Sequence, residues 1–339
     1  MMNNKTLFSI ALASLSLLAA CGGGGGDSTS QPSASQPSVP VVVPVVAPTG
    51  NNFSARQPVT LVPTPTYAAN SFQSDAFVRL NSIRSSVGLG LLAQNTNLDT
   101  AAAAHSKYMN LNGLADNVHV ESAGKTGFTG ARVGDRIGAT SYGRPTGGGE
   151  VISFVGSAKE SIDGLVAAVY HRMVLLQYKP KEIGVGFLQT STDKNPLFNT
   201  YNQVFNLAYA DGGQGAPAVN AVVWPADNST TTSVRMPNEQ PRPGTPGASG
   251  VFGYPASISV DEDRVLTVSA FVLTDSAGSV VSANLLSPAN DPNLLALNVK
   301  YFVGLVPRDP LKPATTYTAQ FVGTLDGAPF SRTWSFKTP

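Results

Sequence analysis

Histidine offers this chain its widest chemistry, and only three are present: His105, His119 and His171. Near neutral pH an imidazole can hold a proton, release one, or bind a metal through a ring nitrogen. Their settings differ. His105 lies in a helical pattern, within about 20° of Leu98 and Met109 on the apolar stripe, which predicts a hydrogen-bonded core histidine. His119 sits in the loop-like stretch NVHVES, and Glu121 faces the same side where that stretch is extended. His171 falls about half a turn from the apolar stripe of its helix, on a face shared with Gly164 and Ala167. Small neighbours leave room above that ring, so His171 is the expected cleft-lining residue.

Other chemistries are excluded. The single cysteine, Cys21, builds no intrachain disulfide and no multi-Cys metal site. Gly124-Lys125-Thr126 imitates the end of a phosphate loop, but His119 occupies the required first Gly. No H-E-x-x-H and no G-x-S-x-G occurs. With 42% hydrophobic residues, only 13% charged and a net charge of +1, the chain lacks the basic surface of a nucleic-acid binder. Its 339 residues suggest two domains at roughly 150 residues each, once a leader and tether are set aside.

The N-terminus reads as a processing signal. Lys5 precedes an apolar run from Leu7 to Ala20 that is too short to span about 30 Å of hydrocarbon. The run ends in Leu18-Ala19-Ala20-Cys21 followed by five glycines, which resembles a bacterial lipobox. That implies removal of residues 1–20, diacylation of Cys21 and a stable membrane anchor. Gly22 stands where Asp commonly marks inner-membrane retention, so the expected place is the outer membrane or cell surface. Residues 21–70 read as an unstructured Gly/Ser/Pro/Val-rich tether, because Pro recurs every few residues.

Beyond the tether, three helices precede two strands. The first helix runs from about Ser74 to Ser86, the second starts at Thr96 with Asp99 as capping partner, and the third starts at Ser157 with Glu160. The third carries Ile162, Leu165, Val166, Val169, Tyr170 and Met173 in one unbroken series. EIGVGFLQ and QVFNLAY alternate as strands, giving an α+β unit over residues 71–210. Residues 211–218 read as a linker. Some seven short apolar or alternating runs in residues 219–339 predict an antiparallel sandwich. Within it, the segment ending at Tyr317 resembles an immunoglobulin-like tyrosine corner, and Met236 to Gly250 reads as an exposed loop.

Six motifs in order carry a family resemblance: HS.YM (His105 to Met109), NVHVE (ending at Glu121), VGDRI (Val133 to Ile137), GGE-VI (Glu150), VYHRMVLL (Val169 to Leu176) and EIGVGF (Glu182 to Phe187). Together they resemble a bacterial member of the CAP superfamily, the group of cysteine-rich secretory proteins, antigen 5 and plant pathogenesis-related proteins. The resemblance implies an α-β-α sandwich whose central cleft gathers two His and two acids. It places His119 as the first His, Glu150 as the Glu of G-E-N and His171 as the second His. Val151 departs from the usual Asn, Leu165 from the usual Trp and Ala168 from the second Glu, for which Glu121 is the stand-in by spacing. Glu160 is better read as a cap, and Asp135-Arg136 as an ion pair or helix start. The expected fold is thus α+β, an α-β-α sandwich followed by a smaller all-β immunoglobulin-like sandwich. Three functions fit. The foremost is an envelope protein binding a small ligand, lipid, glycan or peptide. The others are a hydrolase using a divalent metal such as zinc on His119, His171 and Glu150, and an adhesion protein acting through the sandwich.

Overall fold

The computed structural model describes residues 58–114, 117–189, 201–215 and 221–339, together with the backbone of residues 7–11. Cys21 and the tether up to residue 57 lie outside them.

In chain order the first part contains β1 (Leu7–Ala11), α1 (Phe72–Ser86), β2 (Ala93–Gln94), α2 (Thr96–Asn112), α3 (Val133–Gly138), β3 (Gly147–Ser153), α4 (Ala158–Ala167), α5 (Val169–Leu175), β4 (Glu182–Gln189) and β5 (Tyr201–Tyr209). Residues 58–70, expected as the end of the tether, lie instead against the folded body. The Val59 N–H donates to Gln214 Oε1 (2.9 Å), and Val59 O accepts from the Leu91 N–H (2.7 Å). Gln214 in turn donates from Nε2 to Leu91 O (2.9 Å) and Pro180 O, so the expected linker is clasped at least this far.

Capping sets the helix starts. Ser71 Oγ accepts from the Ser74 N–H, which begins α1 two residues earlier than expected. Asn95 rather than Thr96 caps α2. Asp99, the expected capping partner, accepts instead from Tyr67 Oη (2.6 Å), Gln94 Nε2 (2.7 Å) and the Val185 N–H (2.7 Å). Ser157 caps α4 as expected.

The single long helix expected from Ser157 through Met173 breaks at Ala168, whose ψ of 129° is extended. The apolar series spans the break because its two halves serve different cores. Ile162, Leu165 and Val166 pack with α1 and the central sheet. Val169, Tyr170 and Met173 pack with Met236, Phe252, Leu286 and Phe302 of the second part.

The central sheet has the order β2-β4-β5-β3-β1-β8, where β8 (Asn238–Gln240) comes from the second part. Strand alternation loads both of its faces. Val151, Phe205 and Leu207 pack beneath α1 and α4, whereas Ile152, Val204 and Ala208 pack beneath α2 and α3. A mixed α-β-α arrangement results. Gly184 and Gly186 on β4 let α2 lie directly on the sheet, since a Cβ at either would collide with the helix backbone at Leu98 or Ala102. β1, which falls within the segment expected to be removed as a leader, is in this full-length chain paired antiparallel to β3, with Ala11 opposite Glu150, and parallel to β8, with Phe8 opposite Glu239.

The second part continues with β6 (Val222–Trp224), β7 (Ser229–Thr230), the strand β8 already placed, β9 (Ala256–Ser259), β10 (Leu266–Asp275), β11 (Ala283–Leu286), α6 (Pro292–Ala296), β12 (Phe302–Pro307), β13 (Thr316–Leu325) and β14 (Ala328–Lys337). Two four-stranded sheets form, β10-β13-β14-β7 and β11-β12-β9-β6. Between them lie Ile258, Phe271, Val303, Phe321 and Trp334. Tyr317 Oη accepts from the Lys312 N–H at 2.8 Å, as the corner reading requires.

Candidate functional site

α2 carries His105 over the sheet face that holds Glu150, and the chain after α2 returns past it with His119 and Glu121. Five side chains meet there, all essentially excluded from solvent: His105, His119, Glu121, Arg136 and Glu150. Arg136 Nη2 spans both oxygens of Glu150 at 2.8 Å each, and Nη1 donates to His119 O at 3.0 Å. His119 Nδ1 lies 2.9 Å from Glu150 Oε1. His105 Nδ1 is 2.9 Å from Glu121 Oε1, and its Nε2 is 2.8 Å from Val118 O. The partners of His105 are thus a carboxylate and a backbone carbonyl. The two buried carboxylates face the Arg136 guanidinium and two imidazoles, the kind of partners that burial of charge demands.

The acids respond to these neighbours. Burial pushes the Glu150 carboxyl up, but Arg136, His105 and His119 outweigh it and hold it well below the usual carboxylate range. Glu121 is lowered in the same way, with burial opposed by His105, the Thr129 N–H and Arg136. Its Oε2 accepts from the Thr129 N–H (2.7 Å) and the Gly130 N–H (3.3 Å), so it organises the loop between α2 and α3.

His171 hangs on a different acid. Glu239 Oε1 accepts from His171 Nδ1 (2.8 Å), the His171 N–H (2.9 Å) and the Tyr170 N–H (2.8 Å). The neighbours of His171 also reach into the second part. Tyr170 Oη donates to Asp291 Oδ2 (2.6 Å), while Arg172 Nη1 donates to Pro255 O (3.0 Å) and Ser257 Oγ (3.1 Å). Met236 to Gly250, expected as an exposed loop, is therefore buried at its start: Met236 and Glu239 are 5% and 3% exposed.

This order of helices and strands, with paired imidazoles and carboxylates, has a counterpart. The family model "CAP: Cysteine-rich secretory protein family" matches residues 77–207. No curated protein matches the chain. The CAP match contains His105, His119, Glu121, Arg136, Glu150 and His171, and it ends before Glu239.

Within the matched region the expected residues divide. His119, Glu121 and Glu150 come together, whereas His171 faces Glu239. Zinc on His119, His171 and Glu150 does not fit. Both oxygens of Glu150 are engaged by a guanidinium, leaving a cation where a second cation would have to sit. Among the described residues no three His, Cys, Asp or Glu side chains converge as a metal-ligand set. Glu121 is spent on His105 and its own loop rather than lining a cleft.

Two residues escaped the sequence reading. Asp135-Arg136 reads as an ion pair or helix start; the helix start is what forms, since Asp135 caps α3 through the Arg132 N–H (3.2 Å) and meets Arg144 outside (2.8 Å), while Arg136 turns to Glu150. The signal was available: Arg136 and Ile137 share a helical face with Val133, and Asp135 does not. Glu239 had no such signal, because its partner lies 68 residues away along the chain.

Proposed function

We propose that the chain is an exported bacterial envelope lipoprotein, anchored through Cys21 in the outer membrane, whose CAP domain binds a small ligand beside the His105–Glu121 and His119–Glu150 pairs. The lipobox-like residues and the Pro/Val-rich stretch support the anchor. One observation carries the binding reading. A hollow of about 170 Å³ adjoins the buried network, lined by Tyr108, Met109, Leu114, Val118, Val120 and Lys125 among others. Tyr108 stacks on His105 (6.1 Å, 14°), and Val118 O takes the His105 proton, so the wall of the hollow is held by the charged cluster.

Its size limits the ligand. Drug-sized pockets run to roughly 300–1,000 Å³, so this hollow takes one ring, one side chain or the end of an acyl chain. The lining is mixed, with Asn112 and Ser122 beside Met109, Leu114, Val118 and Val120, and the exposed Lys125 ammonium at the rim favours an anionic end. Metal-assisted hydrolysis draws no support from the side chains, since Arg136 already neutralises Glu150.

Native mass spectrometry of the chain recovered from the cell envelope tests this reading. It should carry a diacylglycerol on an N-terminal Cys21 and a co-purifying small molecule that is lost in Val118→Trp, which fills the hollow. A species retained at full occupancy in Val118→Trp would remove the pocket from the proposal. A mature chain beginning upstream of Cys21 would remove the anchor.

A further inference from the structure

Glu239 lies outside the CAP match, on a three-residue strand of the second domain, yet it reaches the imidazole of His171. We propose that Glu239 is a positioning residue for His171: it holds the His171 proton on Nδ1 and makes Nε2 the acceptor nitrogen of that ring. The inference goes beyond the binding reading, because His171 does not line the hollow, and concerns a second imidazole where the two parts of the chain meet.

Three observations converge. First, the carboxylate cannot swing. Glu239 Oε1 is gripped by the Tyr170 and His171 N–H groups at 2.8 and 2.9 Å, independently of the ring it also meets at 2.8 Å. Second, β8 delivers this one side chain alone: Asn238 and Gln240 are exposed, while Glu239 between them is buried. Alternation along an extended strand permits that, and Pro237 and Pro241 bracket the segment. Third, adhesion between the domains does not need it. Tyr170–Asp291 and Arg172 with Pro255 and Ser257 already join them, backed by an apolar cluster from Val169 to Phe302. A buried carboxylate is costly glue, and its Oε2 is buried without a hydrogen bond among the described residues. What the acid does accomplish is orientation. A ring nitrogen that donates to a carboxylate leaves the opposite nitrogen as the acceptor. The His119–Glu150 pair applies the same arrangement within the CAP domain.

The chain's three histidines make the test direct. In the full chain labelled with 15N-histidine, two-bond 1H–15N correlations report which nitrogen of each ring is protonated, with assignments from single His→Gln variants. His171 should carry its proton on Nδ1. Glu239→Ala should shift its tautomer ratio toward Nε2–H by about tenfold or more, the scale of losing a charge-assisted hydrogen bond. Glu239→Asp should retain at least part of the native ratio. Tyr170→Phe, which loosens the same junction through Asp291, should leave the ratio unchanged. That contrast separates positioning from mere adhesion. A wild-type His171 protonated on Nε2, or a ratio unmoved in Glu239→Ala, overturns the inference. So does an equal change in Tyr170→Phe. Failure of the binding reading has a different signature, namely a co-purifying ligand indifferent to Val118→Trp.

Discussion

The two imidazole–carboxylate pairs neutralise their acids by different means. His119–Glu150 lies within one domain, and a guanidinium spans its carboxylate at 2.8 Å. His171–Glu239 joins two domains, and two backbone N–H groups take the place of the cation. The first pair is thus tied to a charge balance of four groups, and the second to the relative placement of two domains. Removing a charge should damage the first pair most. Loosening the junction should damage only the second.

Arg136→Met attacks the charge balance and carries the largest expected effect. It leaves the buried Glu150 without the guanidinium that spans both its oxygens, a loss on the order of 3–5 kcal/mol of unfolding free energy in urea titration. Adding Glu150→Gln to that variant should recover part of the loss, because the uncompensated acid is gone. No recovery would mean that Arg136 stabilises through packing rather than charge.

Acidity sharpens the same contrast. Glu150 and Glu121 have lowered folded-state pKa values, so their stabilisation is complete above the ordinary carboxylate value of 4.5 and is lost as pH falls through the lowered values. Glu262 behaves in the opposite sense at the domain junction. It accepts the Tyr178 N–H (2.9 Å) and the Lys179 N–H (3.3 Å), and burial pushes its carboxyl from 4.5 up to about 7. Its contribution is complete below 4.5 and is lost as pH rises through about 7, on the order of 1–3 kcal/mol. Urea unfolding from pH 3 to 8 should therefore show an acid limb that is reduced in Glu150→Gln, with Glu121 supplying part of the remainder, and a neutral slope absent in Glu262→Gln. A neutral slope that persists in Glu262→Gln assigns it to another group.

Tyr170→Phe should cost about 1–2 kcal/mol, because it leaves the buried Asp291 short of a donor. The effect should appear at the domain junction, as faster amide exchange in β8 with unchanged exchange in α2. Arg144→Ala, which removes the exposed partner of Asp135, should change stability by less than about 0.5 kcal/mol. A larger effect would show that the outer end of α3 helps to hold Arg136 in place.

Local pattern made much of this architecture legible. The periods of α1 and α2 could be read because each buries one face against the sheet, and β4 and β5 because large apolar residues alternate along them although both faces of the sheet are covered. The hydrogen-bonded character of His105 followed from its place on the stripe of α2, although the identity of its partner did not. Periodicity misled at Ala168. An apolar series continues unbroken through a bend when the second half finds a different core, and spacing alone does not record that. Of the two readings of Asp135-Arg136, the helix start holds and the ion pair does not, because the turn of a helix sends neighbours to different faces; the reach of Arg136 to Glu150 was missed. Glu239 was invisible for a deeper reason. It acts on a ring in another domain, and a three-residue strand between prolines has too little pattern to announce where it docks.

The clasp around Gln214 has a mechanical consequence. A pull applied at Val59 meets two holds, the Gln214 amide that also bonds Leu91 and Pro180 and the Leu91 N–H itself, while the neighbouring Lys179 backbone is held by Glu262 of the second part. Such a load is therefore shared by both halves of the body instead of peeling away the first helix.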